Sequence, residues 1–164
     1  DLATYWEERK TLRYYRRVLE FARTYAADGG RLLDVGGRRC EYVLWFDWFK
    51  ERAVVDLVEP ADLPGIRAIQ QDFLTMDVAA PYDLVLCLQV LEHLDDPTPF
   101  CRKLFDTGRV VILSVPYRWA RGTCASHAQD PVDEEDVRAW AGRDWVDSAV
   151  VTDGTLRRLV AVYD

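Results

Sequence analysis

Paired Cys-x-x-Cys spacing is missing from this chain: its four cysteines, Cys40, Cys87, Cys101 and Cys124, stand well apart. That excludes a zinc-ribbon framework. Cys87 lies inside an apolar run and reads as a small core residue. Positive charge is in short supply. There are 21 Lys and Arg against 28 Asp and Glu, a formal net charge of −7. An acidic surface disfavours a nucleic-acid partner, because phosphates attract a basic face. The nearest thing to a basic patch, Arg13, Arg16 and Arg17, reads as the solvated face of an N-terminal helix. No signal-peptide pattern and no membrane-length apolar run occurs, so the expectations are no membrane partner and a cytoplasmic, reducing setting. Internal repeats and low-complexity linkers are also lacking.

What is present suits one globular domain. The chain has 164 residues, 49% hydrophobic and 12% aromatic, enough for a real core. Its organising stretch is Arg31-Leu32-Leu33-Asp34-Val35-Gly36-Gly37-Arg38. This short apolar run breaks at two glycines and is followed closely by the aromatic-rich Tyr42 to Phe49. It reads as strand, tight turn and helix, the helix over about 41–51. In an open α/β sheet, the mouth above such a turn is where nucleotide-like ligands sit.

The spacing of Tyr5, Trp6, Leu12, Tyr15, Val18, Leu19 and Ala22 predicts helix over 4–27, ended by Asp28-Gly29-Gly30. Strands are expected at 31–36, 53–58, 66–70, 82–88 and 109–116, with a helix over 98–106. The fourth of these runs is nearly continuous in apolar residues, as suits a sheet covered on both faces. Acids at 133–136 open another helix at its positive end. Two runs around Asp153-Gly154 carry the strongest hairpin signal in the chain. Alternating strands and helices give a mostly parallel sheet by right-handed crossovers.

In this order the elements resemble a class I S-adenosylmethionine-dependent methyltransferase of the small-molecule type, over nearly the whole length. The resemblance implies a Rossmann-like three-layer α/β sandwich. Its mostly parallel seven-stranded sheet has an antiparallel C-terminal strand, inserted by a closing hairpin. The domain then spans 1–164, with residues 1–28 as a helical lid and 31–164 as the core. The implied cofactor is S-adenosylmethionine. The family's first motif, Asp-x-Gly-x-Gly-x-Gly, is matched by Asp34, Gly36 and the adjacent Gly37. Its later glycines are replaced by Arg38 and Cys40. The Arg38 side chain either crowds the methionine end of the cofactor or pairs with its carboxylate.

The family also places an acid at the end of the second strand to accept both ribose hydroxyls, because a carboxylate presents two acceptor oxygens. Asp56 is the expected acid and Glu59 its rival. Asp72 and Phe73 match the pair that receives the adenine, and Asp72 also suits a helix N-cap. In Leu88-Gln89-Val90-Leu91-Glu92-His93-Leu94-Asp95-Asp96-Pro97, Gln89 is the expected lining residue, while His93 reads as structural.

Methyl transfer to a hydroxyl needs a base, and the long loop 117–132 offers His127, with Asp130 to orient it or to act on the substrate. A metal held by Cys124, His127 and Asp130 would draw all its ligands from that loop, without a second cluster, so no metal is expected. Trp6, Tyr14, Tyr117 and Trp119 either wall an acceptor pocket or pack as core and lid. The expected activity is methylation of a small polar acceptor, sugar-like or natural-product-like, at oxygen. The alternative is a methyltransferase-like binding module with little or no catalysis.

Overall fold

The computed structural model describes residues 2–164, so residue 1 of the expected lid lies outside the described residues. Among them, seven strands form one sheet: β1 (Gly30–Val35), β2 (Phe49–Asp56), β3 (Ile66–Gln70), β4 (Tyr82–Leu88), β5 (Gly108–Pro116), β6 (Asp147–Asp153) and β7 (Leu156–Tyr163). Their order is β3-β2-β1-β4-β5-β7-β6. The pairs from β3 through to β5 are parallel, while β7 runs antiparallel between β5 and β6. The inserted hairpin read from Asp153-Gly154 is therefore present, with Asp153 ending β6 and Gly154-Thr155 making the turn.

Successive strand residues face opposite sides of a sheet. Leu32, Leu84, Leu86 and Ile112 point into one core, and Leu33, Val85, Cys87 and Val111 into the other. This is why β4 reads as a continuous apolar run. The first face is covered by α1 (Leu2–Arg9) and α2 (Arg13–Tyr25), with Trp6, Tyr15 and Phe21 buried. The second is covered by α3 (Pro97–Thr107) and α4 (Glu134–Ala141), through Phe100, Leu104 and Val137.

Two expected elements differ. The helix over 41–51 is replaced by a single 3-10 turn at Tyr42–Trp45, and β2 already starts at Phe49. Periodicity does not separate a short buried helix from an apolar turn. Here Tyr42, Val43 and Phe46 all turn into the core, and the Trp48 indole donates to the Ala26 carbonyl at 2.9 Å. The early start of β2 also makes Asp56 its last residue.

The second difference is a break in the expected helix 4–27 between Arg9 and Arg13. Leu12, at the N-cap of α2, offers no side-chain acceptor. The Asp153 carboxylate, from the β6–β7 turn, accepts from the Arg13 and Tyr14 amides at 2.7 and 3.4 Å instead. It also faces the buried Arg158 guanidinium at 3.7 Å. Losing a capping carboxylate costs about 1–2 kcal/mol, and leaving a buried arginine without its partner adds to that. Asp153→Ala is expected to lower the unfolding free energy by about 2 kcal/mol or more, read by urea titration. A change under a few tenths would show that the cap contributes nothing.

Candidate active site

The strand order reverses direction between β1 and β4, so their carboxyl ends open a crevice. A cavity of about 410 Å³ occupies it. One wall is the turn after β1. The Gly36 amide donates to the Val55 carbonyl at 2.8 Å, and its φ of +76° is one that side-chain-bearing residues rarely adopt. A Cβ on Gly37 would fall 2.1 Å from the Asp34 Oδ2. Only glycine lets this turn lie directly on the carboxylate.

Asp34 is fully buried beneath the turn and does not line the cavity. Its Oδ1 accepts from the Tyr42 hydroxyl at 2.6 Å, while its Oδ2 has no partner. Burial pushes its carboxyl up to about 7, against the opposing effect of the Tyr42 hydrogen bond. An unfolded Asp ionises near 3.9. Between those values the unfolded chain gives up a proton that the folded chain keeps, so stability falls as pH rises through this window. The contribution present below about pH 4 is lost by about pH 7, on the order of 4 kcal/mol. Asp34→Asn has no such proton to lose. Its stability relative to the natural chain is expected to improve by several kcal/mol from about pH 4 to about pH 8, measured by denaturant unfolding. A constant difference would mean that Asp34 ionises as in water.

Asp56 lines the cavity. Its Oδ2 accepts the Arg38 amide at 2.8 Å and its Oδ1 the Val58 amide at 3.2 Å. Each oxygen keeps a further lone pair for a ligand. Glu59 is exposed and does not line the cavity. Arg38 holds a φ of +50°, and its guanidinium lies 5.7 Å from the Tyr5 ring of α1. Both residues border the cavity, so the anomaly in the glycine motif sits at the contact between turn and N-terminal helix. Asp72 and Phe73 are elsewhere. Asp72 caps a 3-10 turn through the Leu74 amide at 2.9 Å, and Phe73 is buried against Phe100.

Gln89 follows β4 with a φ of +59° and lines the cavity. Its amide group donates to the Ser114 hydroxyl at 3.1 Å and accepts from Arg158 Nε at 3.3 Å. Arg158 comes from β7 and is buried, its guanidinium 4.7 Å from the Tyr14 ring. Arg9 donates to the Tyr15 and Tyr14 hydroxyls at 3.1 and 3.0 Å. These two cations line the cavity, although neither was singled out from the sequence. Arg158 left a weak trace, a charge inside an otherwise apolar strand. Arg9 left none.

The lining also includes Glu92, His93 and His127. His127 Nδ1 lies 2.7 Å from Asp130 Oδ2, and its ring is stacked 5.5 Å from Trp119. Asp130 is 1% exposed and does not itself line the cavity, which it meets through His127. Glu92 escaped the sequence reading. Its carboxylate is fully buried, pushed up to about 8 by burial, and neither oxygen has a hydrogen-bond partner. The signal for it was an acid between apolar neighbours at Leu91-Glu92-His93-Leu94. Gly36, Gly37, Arg38, Asp56, Gln89 and His127 are thus gathered on one cavity, while Asp34 and Asp130 support it from behind.

The residues fit S-adenosylmethionine: a glycine turn with a Cβ-free surface, a strand-end carboxylate with spare lone pairs, and cations on the wall. No helix of the described residues is long and apolar enough to cross a membrane. A family model described as a methyltransferase domain matches residues 5–152. No match was found among curated protein sequences.

Among solved structures, the chain is similar to a Burkholderia thailandensis enzyme, 1,6-didemethyltoxoflavin-N1-methyltransferase, bound to 1,6-didemethyltoxoflavin and S-adenosylhomocysteine. The TM-score is 0.77 at 19% identity, covering 99% of this chain and 85% of that one. Magnesium protoporphyrin IX methyltransferase from Synechocystis PCC 6803, with bound S-adenosylhomocysteine, gives 0.69 at 16% identity over 93% and 83%. The N-terminal domain of EvdMO1, determined in the presence of S-adenosylhomocysteine and D-fucose, gives 0.63 at 15% over 91% and 81%. With the family model spanning most of its length and the reversed hairpin closing its sheet, the chain belongs to the class I S-adenosylmethionine-dependent methyltransferases.

Proposed function

We propose that this enzyme methylates a hydroxyl of a small polar acceptor, of sugar or natural-product type, and that it does so in the cytoplasm with residues 2–28 as a lid on the site. The observation that carries this reading is the Glu92, His93 and His127 cluster on the lining of the cavity. An amine with a free lone pair attacks a sulfonium methyl unaided, whereas a hydroxyl is poorly nucleophilic until it loses its proton. A site built with such groups is suited to oxygen. The wall of Arg9 and Arg158 favours a polar acceptor. The net charge of −7 argues against a nucleic-acid one.

Bound S-adenosylmethionine supplies a methyl group activated on a positive sulfur. On the protein side, Asp56 would hold the ribose hydroxyls, with Gly36 and Gly37 giving close backbone approach and Gln89 lining the adenosyl end. Arg38 would pair with the methionine carboxylate. His127, held by Asp130, is the group on which loss of the acceptor proton depends. The carbon–oxygen bond forms as the carbon–sulfur bond breaks, leaving a methyl ether, neutral S-adenosylhomocysteine and one proton. Alignment of these groups supplies most of the acceleration.

The test is incubation with S-adenosylmethionine and a panel of monosaccharides, phenols and amines, with products read by mass spectrometry and NMR. A methyl ether from the hydroxyl compounds is the expected product. Methylation confined to nitrogen would overturn the reading.

A further inference from the structure

We propose that Glu92, His93 and His127 form a site for one divalent transition-metal ion, of the Mn²⁺, Co²⁺ or Zn²⁺ class, which binds and activates the acceptor oxygen. The proposal deepens the oxygen-methylation reading and, as to the ion's role, rests on it.

The ligand atoms already converge. Glu92 Oε1 lies 3.9 Å from His93 Nε2 and 4.0 Å from His127 Nε2. All three ligand atoms fall within 4.8 Å of one another. Metal bonds of about 2.0–2.2 Å place neighbouring ligand atoms about 3–3.5 Å apart. Closing the difference takes small side-chain rotations.

The outer groups fit as well. A metal-bound imidazole commonly gives its other ring N–H to a carboxylate or a carbonyl, which fixes the ring and leaves the facing nitrogen's lone pair free. Both histidines have such a partner. His93 Nδ1 lies 3.0 Å from the Ser126 carbonyl, and His127 Nδ1 lies 2.7 Å from Asp130 Oδ2. With Nδ1 as the donor in each, both Nε2 atoms are acceptors on the Glu92 side. The lone pairs of both rings and the Glu92 carboxyl oxygens are thus turned toward one point, the arrangement a shared cation uses.

Glu92 supplies the independent observation. Its carboxylate is fully buried, and both oxygens lack a hydrogen-bond partner. Arg158 and Arg9 act on it only through their charge and do not hydrogen-bond to it: Arg158 Nε bonds Gln89 and its guanidinium faces Asp153 at 3.7 Å, and Arg9 bonds the Tyr14 and Tyr15 hydroxyls. A buried, unpartnered carboxylate is costly unless it is neutralised or paired. The loop is also tied in place: the Ala128 and Gln129 amides both donate to the Glu92 carbonyl, at 2.8 and 3.2 Å. These bonds bring His127 to residues 92 and 93 and give the loop the second cluster that its own sequence lacks.

Two imidazoles and one carboxylate with open positions suit a first-row transition ion better than Mg²⁺, which prefers oxygen ligands. Such an ion lowers the pKa of a bound hydroxyl. The hydroxyl proton then passes to solvent, and the metal-bound oxygen attacks the methyl carbon as the carbon–sulfur bond breaks. In the loaded enzyme, His127 Nε2 is a ligand rather than a base.

Co²⁺ is the probe, because its visible absorption reports coordination. Chelator-treated, natively folded protein is titrated with CoCl₂, while S-adenosylhomocysteine binding is followed separately by calorimetry. One Co²⁺ per chain with visible bands is expected. Glu92→Gln and His93→Ala should each weaken Co²⁺ binding at least tenfold while leaving S-adenosylhomocysteine affinity within about twofold, which shows that the variants are folded. Equal Co²⁺ binding by the natural chain and both variants would overturn the site. Full oxygen methylation by chelated protein would overturn the ion's role. Stoichiometric Co²⁺ binding together with methylation only at nitrogen would uphold the site and overturn the function proposed above instead.

Discussion

Asp56→Ala is expected to weaken S-adenosylhomocysteine binding by about two to three orders of magnitude, since a hydrogen bond to a charged group contributes about 1.5–3 kcal/mol and the proposed ribose contact involves both carboxylate oxygens. The same oxygens also accept the Arg38 and Val58 amides, at 2.8 and 3.2 Å. The substitution therefore removes a ligand contact and loosens the turn that carries Arg38. Asp56→Asn separates the two effects, since it keeps the size and one acceptor but loses the charge. It should fall between the natural chain and Asp56→Ala. Glu59→Ala should bind as the natural chain does, because Glu59 lies outside the cavity lining. The reverse pattern, with Glu59 essential and Asp56 dispensable, would move the ribose contact and refute the site as drawn.

His127→Ala separates binding from chemistry. Its ring borders the cavity, with its partner Asp130 at 2.7 Å and the Glu92 carboxylate at 4.0 Å. S-adenosylhomocysteine affinity should stay within about twofold. Turnover should fall by about 10²–10⁴, the usual contribution of assisted proton removal, whether the ring takes the proton or helps to hold the ion that acidifies the hydroxyl. Asp130→Asn should give a smaller loss, because it keeps a partner for the imidazole but removes the charge behind it. Unchanged turnover in His127→Ala would make the residue a packing group under Trp119.

Most of the fold was legible because its signals are local. A continuous apolar run marks β4 at the residues where it occurs, and Asp153-Gly154 marks the hairpin that distinguishes this sheet. The misread parts depend on distant partners. The segment after Cys40 has helix-like apolar content, but its aromatics are claimed by the core on the α1–α2 face. The break before Arg13 is stabilised by Asp153, 140 residues away.

The site divides in the same way. Gly36, Gly37, Arg38 and Asp56 are adjacent to recognisable strand ends, so their placement on the cavity follows from the motif order. Glu92 is different. Nothing in Leu91-Glu92-His93 says that a loop from beyond the next helix and strand will seal it from water and set a second imidazole beside it. Arg9 and Arg158 come from opposite ends of the chain and meet only because α2 packs beside the closing hairpin. Asp72 and Phe73 show the converse. They match a motif, yet lie outside the cavity lining, as a cap and a core residue.

The central claim is that the turn after β1 and the end of β2 hold S-adenosylmethionine despite Arg38 and Cys40 in place of glycine. Calorimetric titration of the natural chain with S-adenosylhomocysteine tests it most directly. Saturable heat with one ligand per chain is expected, with affinity reduced about a hundredfold or more by Asp56→Ala. Absence of heat and of thermal protection at millimolar ligand would contradict it.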